Sequence, residues 1–331
     1  MQKIIFFSAK SYDISFFEMV NKKYKFNLKF LSEPLDMKSV HKTKGYEAVC
    51  IFVEDKVDKM VIDGLIKNNV KIIALRCAGF NNVDVKHAKD KIKIVRVPTY
   101  SPYAVAEHAM GLILSLNRKN YLSFIRTRMG DFSLDGMLGF DLKGKTLGVI
   151  GVGNIGKILI NIAQGFNMKV IAYDPYLKKC SKKIKLVSLN SLLKKSDIIS
   201  LHCPLTNENH YMINKKTISK MKDGVMIINT GRGKLINTKD LIKALKDQKV
   251  SAAGLDVYEM EENYFYKDYS TLIIKDDVLS RLLFFPNVLI TSHKGYFTKE
   301  AMENISITTL KNIKNFFLNK KTENEVFFKD N

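Results

Sequence analysis

Arg232 stands in the run INTGRGKLI (228–236), between Gly231 and Gly233, in a chain whose 54 lysines and arginines include only seven arginines. A guanidinium is a planar fork that grips a carboxylate through two parallel hydrogen bonds, whereas lysine offers one rotatable point charge. The flanking glycines permit close backbone approach to whatever is held. Two more residues have the types for proton chemistry: His293 follows the apolar run NVLITS, and Glu261 lies in LDVYEMEEN. A carboxylate touching an imidazole favours the imidazolium and raises its pKa toward the working pH. Such a pair is a general acid for reducing a ketone and a general base for oxidising the alcohol. A solvated loop arginine and a satisfied structural histidine are the plainer alternatives, and periodicity alone does not establish that Glu261 and His293 touch. Among the other histidines, His41 and His87 sit among polar residues and read as surface positions, His108 lies inside a helical stretch, and His202 and His210 fall near another strand end.

Upstream, GVGNIG places Gly151, Gly153 and Gly156 in the GxGxxG spacing, after the apolar run KTLGVI and at the start of NIGKILINIAQGF. In that context the first glycine permits a tight turn, the second lets a pyrophosphate approach the backbone, and the third lets helix and strand pack closely. The pyrophosphate then rests on helix N-terminal amides. Asp174 ends the next apolar run, KVIAYD, 23 positions after Gly151. Its carboxylate accepts from an adenosine ribose and repels a 2′-phosphate, so NAD is favoured over NADP; Lys178 and Lys179 soften that repulsion.

These residues need a scaffold. KIIFF (3–7), YEAVCIFV (46–53), KIIALRC (71–77) and KIVRV (93–97) read as strands of one small α/β unit ending near residue 100. Pro102 opens a breaker-free stretch of about two dozen residues, read as one long helix bridging two domains. A second series, KTLGVIGVG, KVIAYD, DIISLHC, VMIINT, AAGLDV and NVLITSH, supplies six strands with helical stretches between them, matching a dinucleotide-binding fold. Arg232, Glu261 and His293 lie at or just after the ends of its late strands, where ligands bind in open α/β sheets. From about Thr298 a last helix is expected to return to the first domain.

Composition narrows the function classes. At 331 residues, 46% hydrophobic and 26% charged, the chain has the makings of two well-buried domains. The net charge of +21 invites a nucleic-acid reading, but the cations are spread along the chain and nearly all are lysine, so a solvated surface is expected and no nucleic-acid partner. Cys50, Cys77, Cys180 and Cys203 show neither metal-type pairing nor the density of a disulfide scaffold. No metal site is expected. No run reaches the ~18 apolar residues of a membrane span, and the opening MQKIIFFSAKSYD is too short for a secretory signal, so the expected location is the cytoplasm.

RCAGFNNVD, VPTYSPYAVAEHAMGL, GVIGVGNIG, YDPY, LHCPLT, NTGRG, LDVYE and SH occur in this order, and together they resemble the D-2-hydroxyacid dehydrogenases, especially their fermentative D-lactate branch. The likeness covers nearly the whole chain. It implies an α/β fold of two Rossmann-like domains, with an NAD-binding domain (101–297) inserted into a flavodoxin-like substrate domain (1–100 and 298–331). It further implies reversible reduction of pyruvate to D-lactate by NADH and a homo-oligomer, dimer or tetramer. A bulkier 2-oxo acid, or an NAD-sensing regulatory binding protein, are the alternatives.

By motif position the resemblance assigns Arg232 to the substrate's carboxylate and carbonyl and His293 to the proton, with Glu261 setting the charge and orientation of the imidazole. Backbone amides of Ala78 and Gly79 in the CAGF turn would add a small anion nest, Tyr100 would contact substrate, and Phe297 and Phe52 would wall its side chain. Domain closure would gather these groups and exclude water. For the cofactor it implies Gly151, Gly153, Asn154, Ile155 and Gly156 at the phosphates and Asp174 at the ribose. Cys203 and Pro204 would lie on the adenine side, with Asn209, Thr230 and Asp256 nearer the nicotinamide half. Gly231 departs from the family, which usually has a small hydroxyl residue or alanine there, and a side-chain contact to the cofactor is lost.

Overall fold

Runs such as AVCI and IIAL are apolar at every position, which suits strands covered on both faces and hence a parallel sheet between helices. In the computed structural model, which describes residues 1–177 and 184–327, both runs lie inside such a sheet. Lys178, Lys179 and Cys180 fall outside the described residues. The chain divides into two units, Met1–Ser101 with Phe297–Asn331, and Pro102–Tyr296.

The first unit carries β1 (Lys3–Phe6), α1 (Ser11–Tyr24), β2 (Asn27–Phe30), β3 (Ala48–Ile51), α2 (Lys59–Lys67), β4 (Ile72–Leu75), α3 (Val85–Ala88) and β5 (Lys93–Val95). All pairings are parallel, in the order β2-β1-β3-β4-β5, which is the flavodoxin-like arrangement. Strand β2, NLKF, was not expected, because four residues at an edge, none of them buried, carry no apolar run. A helix from Lys299 to Phe317 closes this unit. Thr298 caps it by accepting the Ala301 amide, and it packs on α1 and β4.

The second unit carries α4 (Pro102–Arg118), α5 (Asn120–Arg128), β6 (Thr146–Ile150), α6 (Asn154–Gly165), β7 (Lys169–Tyr173), β8 (Lys185–Leu186), α7 (Leu189–Lys195), β9 (Ile198–Leu201), α8 (Lys215–Ile218), β10 (Val225–Asn229), α9 (Thr238–Lys246), β11 (Val250–Leu255), α10 (Asp277–Phe284) and β12 (Val288–Ile290), so the closing helix is α11. Its parallel sheet runs β12-β11-β10-β9-β6-β7-β8. The order reverses between β6 and β9, and in doubly wound sheets that switch point opens the ligand crevice at the strands' carboxyl ends.

The helix beginning at Pro102 is not continuous. Lys119 takes a left-handed φ of +50° and separates α4 from α5. Ala106, Ala109, Ile113 and Leu116 of α4 are buried, and α4 packs on α6, β10, β11 and β12, so it belongs to the second unit. No residue of α5 is buried. At the break, the Asn117 side chain pairs with both backbone groups of Phe140, and the Tyr121 hydroxyl donates to the Pro286 carbonyl. Among the described residues no helix is long and apolar enough to cross a membrane.

Candidate active site

At the switch point, the glycines of β6–α6 show by their surroundings what each position tolerates. Gly151 has φ +94°, and a Cβ there would lie 2.7 Å from the Cys203 nitrogen and His202 carbonyl. At Gly156 a Cβ would fall 2.1 Å from the Gly151 carbonyl oxygen, so only glycine lets α6 start this close to β6. Gly153 differs: a Cβ would meet nothing within 4 Å, and as the N-cap of α6 it has no side chain to engage the first-turn amides. The amides at Asn154, Ile155 and Gly156 thus open a helix N-terminus, with no acidic residue in its first turn, onto open space, a cradle for an anion.

Asp174, just past β7, accepts from the Val152 amide (2.9 Å) through Oδ2 and from the Tyr176 amide (3.0 Å) through Oδ1. Each oxygen keeps a lone pair for a ribose. Past β9, burial, with the Asp174 charge near it, pushes the Cys203 thiol up to about 11, so it acts as a small apolar surface. The Asn209 side chain closes its own loop, donating to the Pro204 carbonyl and accepting from the Thr206 amide, both at 2.7 Å. Thr230 follows β10; its Oγ1 is buried and has no partner among the described residues, which marks a place for a polar ligand atom. The side chains present therefore fit a dinucleotide.

Arg232 comes next on the same turn. Asn229 ties that turn together, accepting the Gly231 amide (3.0 Å) and donating to the Arg232 carbonyl (2.9 Å). One guanidinium nitrogen, Nη1, donates to the Gly231 carbonyl (2.8 Å), and Arg232 forms no ion pair among the described residues. The two flanking glycines are not equivalent. At Gly231 a Cβ would make ordinary contacts at 3.4–3.5 Å, so an alanine fits. At Gly233 it would fall 2.1 Å from the Tyr258 carbonyl carbon. The missing side chain lets the 258–259 backbone pass against the arginine turn.

That backbone leads to the pairing of Glu261 with His293. The Tyr258 amide donates to Glu261 Oε2 (3.0 Å), and Glu261 Oε1 lies 2.8 Å from His293 Nδ1. Both side chains keep about a fifth of their surface exposed (23% and 21%). With Nδ1 on the carboxylate, Nε2 is the nitrogen left to exchange a proton with a ligand. His293 (φ +55°) and Ser292 (φ +45°) are successive left-handed residues, a conformation costing of the order of 1–3 kcal/mol each.

Asp256 holds that turn in place. It lies just past β11 and is almost fully buried, and its carboxylate accepts from Thr291 Oγ1 (2.6 Å) and the amides of Lys294 (2.9 Å) and Gly295 (2.8 Å). Its carbonyl accepts the His293 amide. Burial pushes this carboxyl up, but the hydrogen bonds of His108 and Thr291 and the nearby His108 and His293 charges outweigh it, and its pKa is lowered. Hydrogen bonds to a charged group contribute about 1.5–3 kcal/mol each, enough to offset the strained turn. Sequence reading passed over His108 and Thr291. The signal for His108 was its spacing: it sits four residues after Ala104 and four before Leu112, both buried, so a polar side chain lies on the packed stripe of α4.

The remaining expected residues belong to the first unit. The carbonyl of Ala78 accepts from Arg96 Nη1 (2.8 Å) and that of Gly79 from Cys77 Sγ (3.2 Å). Phe52 is buried with the Arg76 guanidinium 4.9 Å from its ring centre. Phe297 is half exposed and meets the Tyr12 ring edge to face at 4.7 Å. The carbonyl of Tyr100 accepts from Asn304 of α11.

Comparison with known proteins gives the family. Residues 110–295 match the family model of the D-isomer specific 2-hydroxyacid dehydrogenase NAD binding domain. The D-lactate dehydrogenase of Escherichia coli (strain K12) is 46% identical over 327 residues, 98% of this chain and 99% of that protein. The apo-structure of D-lactate dehydrogenase from Escherichia coli superposes with a TM-score of 0.90 at 44% identity, covering 98% of this chain and 100% of that one. The structure described as the pyruvate reductase of Chlamydomonas reinhardtii does so with a TM-score of 0.93 at 41% identity, covering 98% of each.

Proposed function

Since this chain belongs to the D-isomer specific 2-hydroxyacid dehydrogenase family, we propose that it is an NAD-dependent oxidoreductase that reversibly reduces pyruvate to D-lactate. The observation that carries the reading is the 2.8 Å contact of Glu261 with His293 Nδ1, on a backbone pressed against the arginine turn. NADH supplies the hydride when bound, and the residues to hold it are Gly151, Gly153, Asn154, Ile155 and Gly156 at the phosphates and Asp174 at the ribose. Cys203, Pro204, Asn209, Thr230, Gly231 and Asp256 would line the rest of its site.

Arg232 grips the carboxylate of the 2-oxo acid with paired N–H groups and leaves a further N–H to polarise the carbonyl. Charge develops on that oxygen as the carbonyl carbon is reduced, so this donor counts most at the transition state. His293 delivers the proton from Nε2, and Glu261 fixes the tautomer and stabilises the imidazolium, as a carboxylate does behind other catalytic histidines. In the oxidative direction His293 accepts the alcohol proton. Ala78, Gly79, Tyr100, Phe52 and Phe297 are proposed as substrate contacts on the family resemblance.

We also place the protein in a reducing cytoplasm as a homo-oligomer, dimer or tetramer. Cys50, Cys77 and Cys203 form no disulfide among the described residues, and Phe124, Ile125, Met129, Phe132, Leu134 and Leu138, apolar side chains set among polar ones, are each more than half exposed.

The test of the reaction is NADH oxidation by purified protein with pyruvate, 2-oxobutyrate, 4-methyl-2-oxopentanoate and phenylpyruvate. Fastest turnover on pyruvate is expected. Preference for a bulky acid would move the substrate and keep the mechanism, and silence on all four with intact NADH binding would favour a regulatory protein.

A further inference from the structure

We infer that His108 of α4 is a positioning residue for the proposed proton donor, acting through Thr291 and Asp256 on the strained turn that carries His293. The inference rests on the reading of His293 given above. His108 Nε2 lies 2.9 Å from Thr291 Oγ1 and 3.3 Å from Asp256 Oδ1. The Thr291 hydroxyl has a single proton and donates it to Asp256 at 2.6 Å, so toward His108 it is an acceptor and Nε2 carries the proton. A directed chain follows, from His108 to Thr291 to Asp256.

Asp256 is where that chain becomes relevant to catalysis. Its carboxylate binds the amides of Lys294 and Gly295 while its carbonyl binds the amide of His293, so the backbone on both sides of the imidazole's attachment is set by one residue. Space confirms how tightly this is built: a Cβ at Gly295 would lie 2.8 Å from Asp256 Oδ2 and 3.2 Å from His108 Cδ2. His108 is the only side chain with a cationic form paired to this nearly buried carboxylate among the described residues. Replacing it with an apolar residue leaves the Thr291 hydroxyl without its donor and the carboxylate without its partner, and the two left-handed residues lose part of what holds them. A displacement of about 1 Å at a reacting group costs as much as 100-fold in rate.

Three enzymes are compared: the parent, His108→Leu and His108→Gln, whose side-chain amide restores a donor. Each is assayed for kcat and KM with pyruvate, NADH affinity by fluorescence, thermal midpoint, and the NMR resonance of the His293 Nδ1 proton held by Glu261. In His108→Leu, kcat is expected to fall about 10- to 100-fold, with KM and NADH affinity within threefold and the Nδ1 resonance shifted or broadened. In His108→Gln, kcat should return to within about threefold of the parent and the resonance to its parent position. Unchanged kcat in His108→Leu, a glutamine variant as impaired as the leucine variant, or a lowered thermal midpoint with an unmoved Nδ1 resonance would each overturn the inference. Inactivity of the parent on every 2-oxo acid would instead overturn the functional reading, while the resonance would still report whether His108 sets the His293 turn.

Discussion

Replacing Arg232 by lysine keeps the charge and removes the fork, so it separates the two things an arginine supplies. We expect Arg232→Lys to fold like the parent and to lose about 100-fold or more in kcat/KM for pyruvate, the scale seen when one transition-state donor is removed. Near-parent kinetics would mean that the paired grip is not used. Glu261→Gln probes the charge behind His293 while keeping an acceptor at the 2.8 Å contact. The carboxylate orients the imidazole through Nδ1 while Nε2 gives up its proton. Glu261→Gln should therefore lower kcat for pyruvate reduction by about 100-fold, and a parent-like kcat would remove Glu261 from the mechanism.

Elements make these residues meet, and one tight joint lies where the arginine turn after β10 touches the backbone after β11. Alanine is expected to be harmless to folding at 231, where a Cβ meets only ordinary contacts, and harmful at 233, where it lies 2.1 Å from the Tyr258 carbonyl carbon. Gly233→Ala should cost about 1–3 kcal/mol of stability and reduce kcat, because the strand of chain it displaces holds Glu261. Equal thermal midpoints for Gly231→Ala and Gly233→Ala would contradict this. The same joint shows what a sequence discloses. Long apolar runs mark β3, β4, β9 and β10, since a strand covered on both faces can only be apolar, and GVGNIG is legible because each glycine answers a separate steric demand. Two short edge strands, β2 and β8, leave no such mark. The left-handed Lys119 that splits α4 from α5 is invisible too, since it follows from what the flanking segments pack against rather than from the residue itself. Asp256 and His108 were legible as residues but not as a pair, because the bond joins positions 148 apart in the chain.

For the whole molecule, the family fold accounts for both parallel sheets, and the exposed apolar side chains between Phe124 and Leu138 ask for a cover that the described part of this chain does not supply. Light scattering at micromolar concentration should give a dimer or tetramer, and Phe132→Glu with Leu138→Glu should shift it toward monomer with the fold intact; a monomeric parent would refute the assembly. The most direct test of the central claim is the chirality of the product. Purified protein is run to completion with pyruvate and excess NADH, and the lactate is resolved on a chiral column. The account requires D-lactate as essentially the sole enantiomer. L-lactate, a racemate, or no lactate would contradict it.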